Sequence, residues 1–306
     1  MTPLLVHGMH GLGDNLHQRA VLRQLAARHE VWLETPWPSL YHDLPQLHLV
    51  DKGSRLRTQA KNAKREAGMF CAHPPPAGAA QVTVSYTPAE VRAARGILPA
   101  MCAHCGVATG DFRLPVPRSW RHGLSLPPRE KRPLAVLRPL VDRREWGGCR
   151  ARNPELSAWL ALVAAIRHDF FVVSVADLEP GREWLAQPPP DADLVLHAGE
   201  LDVRGLAALW RAADLVLTAP GFGVALAQAV GTPLAIVFGG YEPPYGYDAG
   251  ARHSPTLAIA PAAGGCDCFS HHHQCAKVID IPRAIDRLKE FASVATHYPP
   301  PPDREA

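Results

Sequence analysis

Along the chain, short apolar runs of strand length alternate with stretches whose apolar positions recur every three or four residues. In the first half, Pro3–His7 reads as a strand, followed by a glycine-rich turn and a helix from about Asn15 to Arg28. Glu30–Glu34, His48–Asp51 and Val82–Tyr86 are further strands by the same reading. Thr87–Cys102 reads as a helix, since Thr87 can cap it, Pro88 suits its first turn and Glu90 completes a capping box. Periodicity then fades between about 112 and 132, where Leu114-Pro115-Val116-Pro117 and Pro127-Pro128 sit among charges and read as an interdomain linker. A second alternation follows. Strands are expected at Leu134–Arg138, Phe170–Ala176, Leu194–His197, Asp214–Thr218, Leu234–Phe238 and Thr256–Ala260, with helices at about 154–167, 202–213 and 222–230. Val203, Leu206, Leu209 and Trp210 form the buried stripe of the helix at 202–213, and Pro282 opens a terminal helix to about Ala295.

Strands alternating with helices specify an α/β fold with parallel sheets. Two such halves predict two doubly wound, Rossmann-like domains, residues 1–128 and 129–306, facing a cleft. In such sheets ligands bind beyond the carboxyl ends of the strands. The informative loops are therefore those after Val6, Arg138, Ala176, His197, Thr218 and Phe238.

Composition narrows the reading. With 47% apolar and 20% charged residues the chain is globular, and no apolar run reaches the roughly 18 to 20 residues that span a bilayer. The N-terminus lacks the basic region and apolar core of a signal peptide, so a cytoplasmic protein is expected. A net charge of +3 decides nothing by itself, but basic residues cluster at Arg55–Arg65, Arg118–Arg132 and Arg143–Arg152. Any one such run usually reads as a solvated face, but three in one chain point to phosphate-bearing ligands.

Three loops carry candidate chemistry. The first is His7-Gly8-Met9-His10-Gly11-Leu12-Gly13-Asp14-Asn15. Gly11 and Gly13 allow a ligand to approach the backbone, but the glycine spacing is not that of a dinucleotide fingerprint and no P-loop lysine follows. Asp14 at the cleft end of the first strand is placed either to take a proton from an attacking hydroxyl or merely to cap the helix. The second loop, Thr218-Ala219-Pro220-Gly221-Phe222-Gly223-Val224, reads as a diphosphate cradle at a helix start, or as a glycine turn that serves packing alone. The third holds Arg138, Arg143 and Arg144, cations that could offset phosphate charge on a departing nucleotide or lie on the surface.

The Gly11-Leu12-Gly13-Asp14-Asn15-Leu16 loop, with a helix behind it, resembles the opening of glycosyltransferase family 9, the ADP-heptose:lipopolysaccharide heptosyltransferases. The segment from Leu201-Asp202-Val203-Arg204-Gly205 through Ala225-Leu226-Ala227-Gln228-Ala229-Val230-Gly231-Thr232-Pro233 to Phe238-Gly239 is similar to that family's nucleotide-binding half. The resemblance implies a GT-B fold and an inverting, metal-independent transfer from a nucleotide diphospho-sugar held mainly by the second domain. It implies Asp14 as the base, Arg143 or Arg144 at the donor phosphate, and Glu200 near the nucleoside. Members usually carry Asp-Ser/Thr-Gly-x-x-His in the second loop, where this chain has Pro220-Gly221-Phe222-Gly223-Val224-Ala225. An imidazole on the phosphate is thereby lost, so the donor is held differently or is not ADP-heptose.

The basic stretch that includes Arg57 and Lys61 suggests an anionic acceptor, either a lipopolysaccharide-type glycan or modified bases in DNA. A nucleotide-sugar epimerase and a non-catalytic nucleotide- or sugar-binding protein are the rival classes. Seven cysteines are an odd number, a poor basis for a disulfide framework. Cys266, Cys268 and Cys275 with His273 are the candidate ligands of a structural zinc, with a local disulfide or free thiols as alternatives, and Cys102-x-x-Cys105 is a candidate half-site. No cofactor for catalysis is expected.

Overall fold

The computed structural model describes residues 1–53, 64–71, 73–121, 124–144, 151–270 and 276–298. Two parallel sheets organise them. The first has four strands, β1 (Thr2–His7), β2 (His29–Thr35), β3 (Leu47–Asp51) and β4 (Ala80–Thr83), in the order β3-β2-β1-β4. The second has six, β5 (Leu134–Leu137), β7 (Phe171–Val175), β9 (Leu194–Leu196), β10 (Leu215–Thr218), β11 (Leu234–Val237) and β12 (Thr256–Ile259), in the order β12-β11-β10-β5-β7-β9. Every residue of β5, β7, β10 and β11 is buried, as expected of parallel strands covered on both faces, and this is why they read as unbroken apolar runs. A short antiparallel pair, β6 (Val141–Arg143) with β8 (Glu183–Leu185), was not expected from the sequence; three residues are too few to show a period.

In each half the strand order reverses beside the first strand, between β1 and β4 and between β5 and β10. Register sets what meets there. Val6 pairs with Val82 and His7 with Thr83, so the loop after β1 lies beside the segment after β4. Leu137 pairs with Leu217, and the Arg138 N–H donates to the Leu217 carbonyl at 3.1 Å, so Arg138 emerges beside Thr218.

The helices differ from the sequence reading in detail. The expected helix at 15–28 begins at Leu12 and is interrupted at Gln18, giving α1 (Leu12–His17) and α2 (Arg19–Leu25). Buried Gln18 accepts from the Met9 N–H at 2.9 Å and donates to Asn15 at 2.9 Å, fastening the break to the glycine loop. The expected helix at 87–102 is two, α3 (Pro88–Ala94) and α4 (Ile97–His104), because Arg95 adopts a left-handed conformation, φ 51°, and Gly96 follows. The Thr87–Glu90 capping box is present. Within 112–132, Phe112 and Leu114 are buried, the Leu114 N–H donates to the Ala229 carbonyl at 2.8 Å, and residues Arg118–Arg121 form α5.

The two halves share one apolar core. α1 packs on α8 (Phe222–Val230), and the core that includes Leu16, Leu22 and Phe112 runs on through Trp210, Val224 and Phe238. Within α7 (Val203–Ala212), Trp210 is fully buried and its indole donates to the Gly223 carbonyl at 3.1 Å, tying α7 to the start of α8. On the far face, α6 (Leu156–Ile166) packs against α9 (Ile281–Ala295), which Asp280 caps through the Arg283 N–H. Ala284, Leu288, Ala292 and Ala295 are its buried stripe. No helix among the described residues is long and apolar enough to cross a membrane.

One buried cation anchors the connecting segment. Arg19 is wholly enclosed; it pairs with Asp43 at 2.8 Å and donates to the backbone carbonyls of Leu40, Phe112 and Arg113. Arg19→Ala removes the enclosed cation, leaves Asp43 and the Arg113 carbonyl to Arg23 alone and takes the guanidinium donors from the Leu40 and Phe112 carbonyls, so we expect a loss of about 3–5 kcal/mol, read as a lower urea midpoint, with Arg19→Lys recovering only part of it.

Candidate functional site

The carboxyl ends of both central strand pairs open into one cavity of about 450 Å³ between the halves, within the usual range for small-ligand sites. Its first wall is the loop after β1. Buried Asn15 shapes this loop, its amide donating to the carbonyls of Met9 at 2.7 Å and Gly11 at 2.8 Å. The loop presses closely on the second half: a β-carbon at Gly13 would stand 3.1 Å from the α-carbon of Phe222. One at Gly11 would stand 2.3 Å from Oδ2 of Asp14.

Asp14 itself does not cap α1. The cap position is Gly11, no side chain bonds there, and Asp14 lies in the first turn with its carboxylate in the cavity. The Tyr86 hydroxyl donates to Oδ1 at 2.9 Å. Asp14 as a residue is partly exposed, while its carboxyl lies deep among the groups that line the cavity. Burial therefore raises its pKa, as does the charge of Glu242, while the Tyr86 hydrogen bond and Arg152 pull it down.

The opposite wall is cationic. Arg138 leaves β5 and lies over the Phe222 ring, 4.1 Å from its centroid. Burial, with Arg143 nearby, pushes its pKa down to about 10, still charged at neutral pH. Among the described residues its guanidinium has no hydrogen bond or ion pair; it packs on Phe222, and the carboxylates of Glu183 and Asp177 act on its charge from further off. Arg143 also lines the cavity and pairs with buried Glu183 at 3.1 Å. Arg144 is exposed and outside it, its N–H bonded to the Arg182 carbonyl in the β6–β8 strip.

Phe222 begins α8 just past Gly221, whose φ of 143° is one that other residues rarely adopt. Gly221 and Phe222 line the cavity. Gly223 does not, but a β-carbon there would meet Thr218 Oγ1 at 3.0 Å and the Arg138 side chain at 3.5 Å. Val224 is fully buried and contributes to the core instead. Glu200 is at the rim, largely exposed, its carboxylate accepting from the Ala198 N–H at 2.9 Å.

The sequence reading missed four contributors. Tyr86 lies past the end of β4, which stops at Thr83 rather than running to Tyr86. Arg152 pairs with Glu242 at 2.6 Å, and Tyr247 donates to Glu242 at 2.9 Å; all three line the cavity. Burial works against the Arg152 charge, but Glu242 more than offsets it and holds the pKa above the ordinary arginine value. Glu242 lies past β11, in one of the strand-end loops singled out in the sequence; Arg152 belongs to the third basic run. Of the remaining expected residues, Arg57 and Lys61 lie outside the described residues, as do His273 and Cys275 of the zinc set. Cys266 and Cys268 are partly buried in a loop that reaches the first half, where Arg92 donates to the Asp267 carbonyl at 2.8 Å. No cluster able to hold a metal occurs among the described residues.

No protein-family model matches the chain, and no curated protein matches it in sequence. Solved structures do match. The iron-containing dodecameric glycosyltransferase TibC of enterotoxigenic E. coli H10407 aligns with TM-score 0.59 and 17% identity over 97% of this chain and 74% of its own. The E. coli ADP-heptose LPS heptosyltransferase II gives 0.57 and 15% over 96% and 99%. A family 9 glycosyltransferase from Veillonella parvula DSM 2008 gives 0.56 and 13% over 95% and 97%. With its paired parallel sheets and the cavity between their carboxyl ends, this chain has the GT-B fold of those glycosyltransferases.

Proposed function

We propose that the protein is a glycosyltransferase that moves a sugar from a nucleotide diphospho-sugar to an anionic glycan, with inversion at the anomeric carbon. The observation that carries this reading is the pairing of opposite chemistries across one cavity. Asp14 is on the first wall; Arg138, a partly enclosed cation without a carboxylate partner among the described residues, is on the second. A cation left in this way suits an anion that arrives with the ligand.

In the proposed reaction the acceptor hydroxyl oxygen forms a bond to the anomeric carbon from one face. The bond from that carbon to the diphosphate oxygen breaks on the other, and the electron pair leaves with the nucleotide. Asp14 takes the hydroxyl proton. Its raised pKa suits this role, since a base works best when its pKa nears the working pH. Arg138, together with the free N–H groups at the start of α8, would meet the charge that develops on the diphosphate, so that no metal is required for that task. Glu200 at the rim is assigned to the nucleoside. The donor and acceptor classes are carried over from the similar structures, among them an ADP-heptose LPS heptosyltransferase; none of them supports DNA as the acceptor.

Two outcomes test the reading. Asp14→Asn should cut transfer from ADP-heptose, or from whichever nucleotide sugar a thermal-shift screen selects, by about 10²–10⁴-fold while leaving the nucleotide-induced shift intact. Arg138→Ala should do the reverse at the binding step, weakening nucleoside diphosphate by about 10- to 100-fold in calorimetry, the equivalent of losing one charge-assisted contact of roughly 1.5–3 kcal/mol.

A further inference from the structure

The Asp14 carboxylate is held at one oxygen only. Oδ1 accepts from Tyr86, whereas Oδ2 has no hydrogen-bond partner among the described residues and rests against Gly11. The torsion that turns an aspartate carboxylate is soft, so a plane held at one fixed edge needs a clamp. Tyr86 is well built to be one. On one side its neighbour Ser85 is hydrogen-bonded through Oγ to His104 at 2.8 Å, and His104 to Glu90 at 2.8 Å. On the other side the Thr87 N–H donates to the same Glu90 carboxylate at 2.6 Å. Both flanks of Tyr86 are thus pinned to α3 and α4, and the phenol reaches across to α1.

Resting on the reading of Asp14 as the base, we propose that Tyr86 is its positioning residue, fixing the carboxylate plane through Oδ1 and leaving Oδ2 to the acceptor hydroxyl. Burial raises the Tyr86 phenol far above its ordinary pKa, so it stays a donor across the working range. The other ionisable groups around Asp14 are Glu242 and Arg152 from the second half, with Tyr247 behind them, and His17 on its own helix, which is buried against Phe112. None of these replaces the hydrogen bond to Oδ1. The sign follows: donation to the carboxylate favours its ionised form, so without Tyr86 the proton is kept to higher pH.

The test is a titration of the Asp14 carboxyl by ¹³C NMR in aspartate-labelled protein, with the resonance assigned by its loss in Asp14→Asn. Tyr86→Phe should move the midpoint up by about one pH unit, and 3-fluorotyrosine at position 86, a stronger donor, should move it down. The acidic limb of kcat/KM with ADP-heptose should follow both shifts. An unmoved midpoint in the fluorotyrosine protein overturns the clamp even where Tyr86→Phe fails to fold. An unmoved midpoint alongside an inactive Asp14→Asn overturns the role of Tyr86 alone. Full transfer by Asp14→Asn overturns the base reading, and with it the catalytic meaning of any shift.

Discussion

The contact between Gly13 and Phe222 determines how the rest of the site is arranged. A β-carbon at Gly13 would come within 3.1 Å of the Phe222 α-carbon, tighter than most side chains sit against their neighbours, so the two helix starts would have to move apart by a few tenths of an ångström. The absence of a side chain at 13 therefore lets the start of α1 lie on the start of α8. The next residue along α1 is Asp14, and the Phe222 ring is what Arg138 lies on. A single seam between two backbones thus sets the separation of the acidic and the basic wall. The apolar core reinforces it, continuing from Leu16 into Val224 and Trp210 without a break. The cavity is consequently a property of how the halves meet rather than of either half.

Enclosing charge in that cavity has a cost, and the distribution of partners shows where it is met. Arg152, Glu242 and Tyr247 form a closed set in which each charge faces its complement, the arrangement in which buried ions are tolerated. Arg143 and Glu183 form a second such pair. Asp14 and Arg138 are the exceptions. Asp14 has a neutral donor, with Glu242 and Arg152 acting on it in opposite senses, and Arg138 has an aromatic face, with carboxylates acting on it only from beyond ion-pair distance. Both are therefore held in less favourable surroundings than the structural pairs beside them, and both gain from a ligand that supplies a proton or a negative charge.

Much of the fold was legible in the sequence because parallel strands buried on both faces leave continuous apolar runs. Leu134–Leu137, Phe171–Val175 and Leu234–Val237 all lie inside the stretches expected from that signal. The rule that ligands sit at strand ends was enough to single out Asp14, Arg138 and Gly221. It failed to find Tyr86, because the strand before it ends three residues early and the register that brings it to Asp14 is a pairing across 72 positions. Arg152 and Glu242 were hidden for the same reason. Their pairing spans 90 positions, and in the sequence Arg152 is one more arginine in a basic run. The Arg95 break between α3 and α4 was invisible as well, since a left-handed arginine carries no local mark and the capping box upstream continues to favour helix.

The second loop shows how a departure from the resembled pattern can be absorbed. At the position of the motif's histidine this chain has Ala225, and at the motif's glycine it has Phe222, whose ring cannot bond to phosphate. That ring instead carries Arg138, which stays protonated at neutral pH, since even its lowered pKa is near 10. Pro220 offers no N–H to the loop, and Gly221 turns the chain so that the first N–H groups of α8 begin at Phe222. On the proposed reading, an imidazole at this place would have tied donor binding to a group that titrates near neutrality. Arginine on an aromatic face removes that dependence. The contribution of this cation to donor binding then stays level through the range in which Asp14 changes charge.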